Sequence, residues 1–279
     1  MNVWLITGTS RGLGLEIART ALDRGDSVVA TARHPELVAQ ALPGYGERLL
    51  TATLDVTDPA QADAVVRAAV GAFGRIDILV NNAGYGLLGA VEEATADEVE
   101  AVFRTNVFGL LTVTRAVLPV LRAQKSGRVL NITSVGGFAQ VPGWGVYGAT
   151  KFAVEGLSEA LRGELEPLGI QVVIVEPGGF RTDFLDGSSL RMTGQVIEDY
   201  AATAGTVRVR AADRKSLQLN DPAKGAAAIA TIATVDRPPA RLQLGADSVA
   251  AVEAKLRHVA GELSTWRELS LSTAYDDAA

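Results

Sequence analysis

The stretch "VWLITGTSRGLG" (residues 3–14) decides the fold, because it joins an apolar run to a helical pattern through three glycines. Residues 3–8 are typical of a buried strand, and apolar side chains recur at helical spacing from Gly14 onward. Gly8 permits a tight turn, Gly12 lets the backbone approach a pyrophosphate, and Gly14 permits close helix packing. The free N–H groups at the start of the helix favour a phosphate ligand. A glycine-tolerant turn without any ligand is the alternative.

The rest of the chain repeats this alternation of strands and helices. Apolar runs without polar alternation indicate strands buried on both faces, so we expect a mostly parallel seven-stranded sheet with helices on both sides. Right-handed crossovers make this a doubly wound Rossmann fold, as one domain over residues 1–279, with its ligand at the carboxyl ends of the strands. The predicted strands are 3–8, 27–32, 49–56, 76–84, 127–135, 170–178 and 240–245. The main predicted helices are 14–25, 59–74, 96–124, 146–169, 222–235 and 248–268.

Composition excludes several classes of function. The 279 residues include no cysteine and two distant histidines, His34 and His258, so thiol chemistry is excluded and we expect no metal. The net charge is −6 and the basic residues form no cluster, so we expect no nucleic-acid partner. The apolar runs are shorter than a membrane span and the first residues lack a basic leader. We therefore expect a cytoplasmic protein without membrane association.

A second stretch, "VYGATKFAVEG" (146–156), places Tyr147 and Lys151 four positions apart on one helix face. A free tyrosine has a pKa of about 10, and an ammonium group within ~4–6 Å lowers that pKa by about one to three units. The pair can therefore be the acid and the tuning charge of an active site. It can also be one turn of an ordinary helix surface, and the other motifs must distinguish these interpretations.

The glycine spacing T-G-x-x-x-G-x-G resembles that of the short-chain dehydrogenase/reductase family. This resemblance covers about residues 3–182. A weaker resemblance, in "ATAR" (30–33) and "PARLQLG" (239–245), is to the branch that includes hydroxysteroid and retinol dehydrogenases. The motifs that match in the family's order are "NNAG" at 81–84, Asn106, Ser134, Tyr147, Lys151, "PG" at 177–178 and Thr182.

The resemblance implies an enzyme that interconverts a ketone or aldehyde and an alcohol. The nicotinamide cofactor would supply the hydride and Tyr147 the proton, while Ser134 would hold the substrate oxygen. Lys151 would bind the nicotinamide ribose and lower the pKa of Tyr147. Asn106 would hold a water molecule that passes protons to Lys151. These four residues are the expected catalytic set.

The end of the second strand indicates which cofactor is bound. An acidic residue there would bind the ribose hydroxyl of NAD(H), but Arg33 follows the predicted strand 27–32 and Asp26 precedes it. Arg33 and Arg11 can pair with the additional phosphate of NADP(H), so we expect NADP(H) to be preferred over NAD(H). The expected cofactor-binding residues are Gly8, Ser10, Arg11, Gly12, Leu13, Gly14, Arg33, Asp55, Val56, Asn82, Ala83, Gly84, Tyr147, Lys151, Pro177, Gly178, Phe180 and Thr182.

The segment from about 183 to 222 departs from the strand–helix alternation. A connection of this length is expected to be a mobile lid over the substrate. Its apolar residues, those of the turn between Ser134 and Tyr147, and the lack of an arginine placed to bind a carboxylate favour a small apolar carbonyl or alcohol over a keto acid. The resemblance also implies a possible homodimer or homotetramer through helices 96–124 and 147–166. The expected substrate-binding residues are Ser134, Phe138, Trp144, Tyr147 and Phe184.

Plainer interpretations of several residues stay open. Asn106 can be an amide bonded to the backbone, and Ser134 can be a turn-forming hydroxyl at a strand end. Asp55 can be a strand-end cap and Val56 a core valine, and either arginine can be a solvated surface residue. For the whole chain, the alternative is a non-catalytic NADP(H)-binding regulatory protein on the same fold.

Overall fold

The strand and helix on either side of the glycine turn are β1 (Val3–Thr7) and α1 (Gly12–Asp23). The computed structural model describes residues 1–185, 189–213 and 218–275. The other strands are β2 (Ser27–Ala32), β3 (Leu49–Thr53), β4 (Ile78–Asn81), β5 (Gly86–Leu88), β6 (Gly127–Ile132), β7 (Ile170–Pro177), β8 (Leu190–Met192) and β9 (Arg241–Leu244). The other helices are α2 (Pro35–Ala41), α3 (Pro59–Phe73), α4 (Ala96–Phe103), α5 (Leu110–Gln124), α6 (Gly145–Leu165), α7 (Thr206–Asp213), α8 (Pro222–Ile232) and α9 (Ala246–Leu271).

Seven strands form one parallel sheet in the order β3-β2-β1-β4-β6-β7-β9. The chain runs outward from β1 to β3, then crosses back through α3 and continues on the other side of β1. The strand order therefore reverses between β1 and β4, where such folds bind ligands. All seven predicted strands are present, and the predicted doubly wound fold is confirmed.

Both faces of the sheet are buried under helices, which explains the unbroken apolar strands. Successive side chains of a strand point to opposite faces. Trp4 and Ile6 of β1 pack with α1 and α8, whereas Leu5 between them packs with α3 and α5. All three side chains are fully buried. Burial of one such side chain contributes about 1.5–3 kcal/mol.

The segment expected to be an irregular lid is partly regular. Its strand β8 pairs with β5, which follows the "NNAG" motif, in a separate two-stranded parallel sheet. The segment also contains α7. Residues 186–188 and 214–217 of the expected lid lie outside the described residues. Neither short strand was predicted, because three residues are too few to show a period of two.

The long helix predicted over 96–124 contains a wider turn. Between α4 and α5, residues Arg104–Gly109 form a π-helical turn. The segment 96–124 has no long unbroken apolar run, yet by length and average hydropathy it could cross a membrane. A core helix passes the same test, and Val113, Val117 and Leu121 pack against the sheet and α3.

Candidate active site

The glycine turn is fastened to the end of β4. Gly8 and Gly12 have φ angles of 69° and 59°, in the left-handed region that favours glycine. The Thr7 Oγ1 atom accepts hydrogen bonds from the backbone N–H groups of Asn82 and Ala83, both at 2.9 Å. In return, the Asn82 side chain donates to the carbonyl groups of Thr7 at 2.9 Å and Gly8 at 3.0 Å. The "NNAG" motif therefore holds the turn in shape.

Gly14 has a different neighbour from the one the sequence suggests. A Cβ atom at this position would lie 2.4 Å from the Gly8 carbonyl oxygen and 2.3 Å from Asn82 Nδ2. The close contact is thus with the turn itself rather than with strand packing. Gly12 instead faces Thr182, whose Cβ would be 3.6 Å from an added Cβ. Between Gly12 and Thr182 lies a cavity of about 270 Å³, also lined by Arg11. The cavity therefore lies directly beside the glycine turn, and Glu16, Arg181 and Asp183 also line it.

The two arginines expected at the cofactor lie in different surroundings. Arg33 is exposed directly after β2. The guanidinium of Arg11 donates to Ser189 Oγ, at 3.2 Å from Nε and 2.9 Å from Nη2. Arg11 therefore joins the glycine turn to the 183–222 segment. Of the other turn residues, Ser10 is half-buried and Leu13 packs against the core.

Asp55 and Val56 follow β3 and have structural partners. The Asp55 carboxylate accepts hydrogen bonds from the Thr57 backbone N–H at 2.9 Å and hydroxyl at 2.7 Å. Val56 is buried against Gly109, where an added Cβ would lie 2.5 Å from Val56 Cγ2. Both observations agree with the plainer interpretations of a strand-end cap and a core valine.

The residues after β7 offer mainly backbone to a ligand. The Gly178 N–H donates to the Leu244 carbonyl at 2.8 Å, just after Pro177 ends the strand. The Phe180 ring packs into the core against α8, where a Cβ on Gly225 would lie 2.5 Å from its Cε1. The Phe180 side chain therefore faces away from the turn, and only its backbone is available there.

The three residues expected to do the chemistry meet beside the carboxyl end of β6. Tyr147 is 7% exposed, and its hydroxyl lies close enough to Ser134 for that side chain to influence the pKa of the phenol. Lys151 Nζ donates to the Ile132 carbonyl at 3.0 Å and lies 5.7 Å from the centroid of the Tyr147 ring. Ser134 also accepts a hydrogen bond from Gly136 N–H at 3.1 Å, as a turn-forming hydroxyl would.

Burial controls the pKa values of both titratable groups. Burial raises the pKa of Tyr147 to about 12, and the neighbouring Ser134 side chain acts in the opposite direction. Burial lowers the pKa of Lys151 to about 8, and the charge of Glu155 opposes that change. Burial is thus the main influence on the phenol in the protein chain by itself, and the expectation that Lys151 lowers the pKa of Tyr147 stays a prediction.

Asn106 lies in the π-helical turn and connects three elements. Its Oδ1 accepts from the Tyr85 N–H at 3.0 Å, and its Nδ2 donates to the Tyr85 carbonyl at 2.9 Å and to Thr150 Oγ1 at 3.1 Å. This agrees with the plainer interpretation of a backbone-bonded amide. A Cβ on Gly84 would lie 3.0 Å from Asn106 Oδ1 and 3.7 Å from Lys151 Nζ. Asn106 thus holds the end of "NNAG" beside Lys151.

Aromatic rings flank Tyr147 on two sides. The ring centroid of Trp144 lies 5.6 Å away, edge-on, and that of Phe184 lies 5.9 Å away. Gly86, which the motifs do not single out, leaves room here, since an added Cβ would lie 3.1 Å from Trp144 and 3.3 Å from Phe184. The third expected aromatic residue, Phe138, instead lies 5.3 Å from the guanidinium of Arg241.

A cluster of charged residues next to Lys151 was not indicated by the sequence motifs. Glu155 follows Lys151 by one turn of α6, and Arg241 of β9 pairs with Glu155, Glu159 and Glu176. The four-residue spacing from Lys151 is the one local signal that could have indicated Glu155. Arg241 is 86 residues from Glu155, so no local pattern connects them.

Comparison with known proteins gives close relatives over the whole chain. A family model described as short chain dehydrogenase matches residues 2–192. Oxidoreductase BOA17 of Botryotinia fuckeliana is 40% identical over 274 residues, which cover 98% of this chain and 99% of that protein. The 3-ketodihydrosphingosine reductase of Bacteroides thetaiotaomicron is 38% identical over 246 residues, which cover 88% of each chain.

Solved structures resemble the whole fold. A short-chain dehydrogenase from Streptomyces avermitilis has 40% identity and a TM-score of 0.90, over 98% of this chain and 100% of that one. A short-chain dehydrogenase/reductase from Burkholderia phymatum in complex with NAD has 26% identity and a TM-score of 0.81, over 94% and 95%. A serine dehydrogenase complexed with NADP+ has 28% identity and a TM-score of 0.74, over 87% and 94%. Similar proteins thus bind both NAD and NADP+.

Proposed function

The chain belongs to the short-chain dehydrogenase/reductase family and is an oxidoreductase. From this we propose that it acts on a mainly apolar substrate, whose ketone or aldehyde group it interconverts with an alcohol. The proposed cofactor is NADP(H). The observation that carries the proposal is the buried phenol of Tyr147, beside Ser134 and close to Lys151. One relative is named as the reductase of a keto compound, 3-ketodihydrosphingosine, which supports a ketone substrate.

A bound nicotinamide dinucleotide supplies or accepts the hydride. The side chains of this protein orient the substrate oxygen and transfer the proton. With a pKa of about 12, Tyr147 is protonated at neutral pH and can donate to the developing alkoxide while Ser134 orients the same oxygen. The Lys151 ammonium then stabilises the phenolate that remains, because opposite charges at close range favour the ionised form.

Such a cofactor fits the residues around the glycine turn. Gly8 and Gly12 adopt the backbone conformation of a tight turn, and the space beside Gly12 and Thr182 is open. The N-terminus of α1 directs free N–H groups to this space. Arg33 directly follows β2, in the place where an acidic residue would repel an additional phosphate, so NADP(H) is the proposed form.

Replacing Arg33 with glutamate should reverse the preference between the two cofactors. We expect NADPH to bind about 10–100-fold more weakly in Arg33→Glu, since a charge-assisted hydrogen bond is lost and repulsion replaces it. Binding of NADH should change little. Titration of each cofactor by fluorescence measures this, with Arg67→Glu, an exposed arginine on α3, as the matched control. An unchanged ratio of the two affinities in Arg33→Glu contradicts the proposed NADP(H) preference.

We also propose that the described parts of the 183–222 segment cover the substrate. Phe184 belongs to this segment and contacts Tyr147, while Arg11 binds the same segment through Ser189. Trp144 lies on another side of the phenol. The aromatic surroundings of Tyr147 favour an apolar group beside the reacting carbonyl.

Phe184 and Phe138 provide a matched pair of variants for the substrate site. Phe184→Ala should raise KM for an apolar ketone by about 10-fold, because an aromatic contact next to Tyr147 is lost. Phe138→Ala should leave that KM close to wild type, because its ring contacts Arg241. Steady-state kinetics on both variants make the comparison. Equal effects on KM would contradict this position of the substrate.

The overall proposal is tested by incubating the protein with NADPH and a set of apolar ketones and aldehydes. We expect oxidation of NADPH that depends on the carbonyl compound, with formation of the alcohol. Tight binding of NADPH without turnover of any carbonyl compound would instead support the alternative, a non-catalytic NADP(H)-binding regulatory protein.

A further inference from the structure

The face of α6 that carries Tyr147 and Lys151 continues to a third titratable residue. Glu155 lies one turn beyond Lys151, at the spacing that places side chains on the same helix face. The two side chains meet at Gly137, where an added Cβ would lie 3.0 Å from Glu155 Oε1 and 3.2 Å from Lys151 Cβ. Glu155 is only 5% exposed, so water does not screen its charge from Lys151.

One guanidinium serves two buried carboxylates in this region. Arg241 Nη1 contacts both Glu155 and Glu176, the latter at 2.8 Å, and Glu176 is fully buried. Arg241 Nη2 binds Glu159 at 2.7 Å, but Glu159 is 65% exposed. Glu155 Oε1 is buried with no hydrogen-bond partner in the described part of the chain. This carboxyl group is therefore incompletely paired.

We propose that Glu155 is a positioning residue of the active site, whose carboxylate, held by Arg241, keeps Lys151 in the ammonium form. The proposal rests on the proposed role of Lys151 beside Tyr147. Glu155 touches neither the reacting carbonyl nor the phenol, and it acts through the charge of the lysine. The charged groups that face it are Lys151 and Glu159 on α6, Glu176 on β7 and Arg241 on β9.

The direction of the effect follows from the charges. Burial lowers the pKa of Lys151 to about 8, and ionised Glu155 opposes this. Burial and the charge of Glu176 raise the pKa of Glu155 to about 7, against the opposing effects of the Thr133 side chain and of Arg241. As pH rises through 7, Glu155 ionises and supports the ammonium group of Lys151. Without that carboxylate, Lys151 should lose its proton at a lower pH.

Direct titration of Lys151 by NMR tests the proposal in the protein without cofactor. The chain has five lysines, so isotope-labelled lysine gives few signals, and Lys151→Arg identifies the one of interest. We expect Glu155→Gln to lower the pKa of Lys151 by about one pH unit, as loss of a nearby buried charge does. Glu159→Gln, which removes an exposed partner of the same arginine, should leave the Lys151 titration unchanged.

The wild-type protein supplies a second readout that needs no variant of Glu155. Its Lys151 signal should show an additional inflection near pH 7, where Glu155 titrates. If the enzyme reduces a ketone, the alkaline limb of kcat/KM should also move to lower pH in Glu155→Gln but not in Glu159→Gln.

Two results would overturn the role of Glu155. One is an unchanged Lys151 titration in folded Glu155→Gln, and the other is a wild-type signal with no inflection near pH 7. Both can be observed even if no carbonyl substrate is found, so failure of this proposal is distinguishable from failure of the proposed function.

Discussion

Turnover of a carbonyl substrate should fall by about 10²–10⁴-fold when Tyr147 is replaced by phenylalanine, because only the proton donor is removed. The phenylalanine ring keeps the contacts of the tyrosine ring with Trp144 and Phe184, so the fold and the pocket should persist. NADPH binding should stay within about twofold of wild type, because the phenol is proposed to act on the substrate oxygen. Initial rates and a cofactor titration on the same preparation measure both quantities.

Tyr45 offers the matched control for loss of a phenol. Its hydroxyl donates to Asp23 of α1 at 2.7 Å, outside the proposed site. Tyr45→Phe should therefore retain nearly full activity. Near-normal turnover in Tyr147→Phe would contradict the proposed mechanism. A comparable loss of turnover in Tyr147→Phe and Tyr45→Phe would instead indicate a general effect on stability.

Among alanine substitutions of the glycines in the turn, Gly14→Ala should weaken cofactor binding most. The added methyl group would meet the Gly8 carbonyl at 2.4 Å and the Asn82 amide at 2.3 Å. The Gly8 carbonyl is backbone, and Asn82 is itself bonded to the turn, so relief of the clash must distort the turn. Overpacking of this kind costs about 1–3 kcal/mol. We expect NADPH affinity to fall about 10–100-fold and the free energy of unfolding to fall with it.

Gly71→Ala on α3 separates the clash from the general effect of losing a glycine. Apart from its immediate neighbours in the helix, none of the described residues has an atom within 4 Å of a Cβ added at Gly71. In a helix interior that change should stabilise the protein by about 0.5–1 kcal/mol, with cofactor binding intact. Chemical denaturation and NADPH titration of both variants give the comparison. Gly14→Ala with wild-type stability and affinity would show that the turn tolerates a methyl group.

The sheet and the meeting of Ser134, Tyr147 and Lys151 could be predicted because their signals are local or ordered along the chain. Unbroken apolar runs indicate buried strands, and parallel strands bring their carboxyl ends to one edge. Residues that follow those strands must then gather there. The polar helix predicted near 248–268 is also present, as α9.

What could not be predicted depends on contacts between distant segments. The pairing of β5 with β8 joins residues about one hundred positions apart, and each strand is too short to show periodicity. The Phe138 ring lies against the guanidinium of Arg241, which belongs to the distant strand β9. Likewise, the pKa of Tyr147 depends on how completely the fold removes water, which spacing from Lys151 does not reveal.

Arg241 lies on β9, so the buried carboxylates of Glu155 and Glu176 are paired only when this strand has been made and has joined the sheet. During synthesis, β9 is the last strand of the sheet to leave the ribosome. A shortened product that stops before residue 241 would retain Tyr147 and Lys151, yet Glu155 and Glu176 would have to be buried without their shared guanidinium. An unpaired buried carboxylate is costly, so such a product should bury this region poorly. Burial of the helix that carries Tyr147 and Lys151 thus depends on β9 being in place.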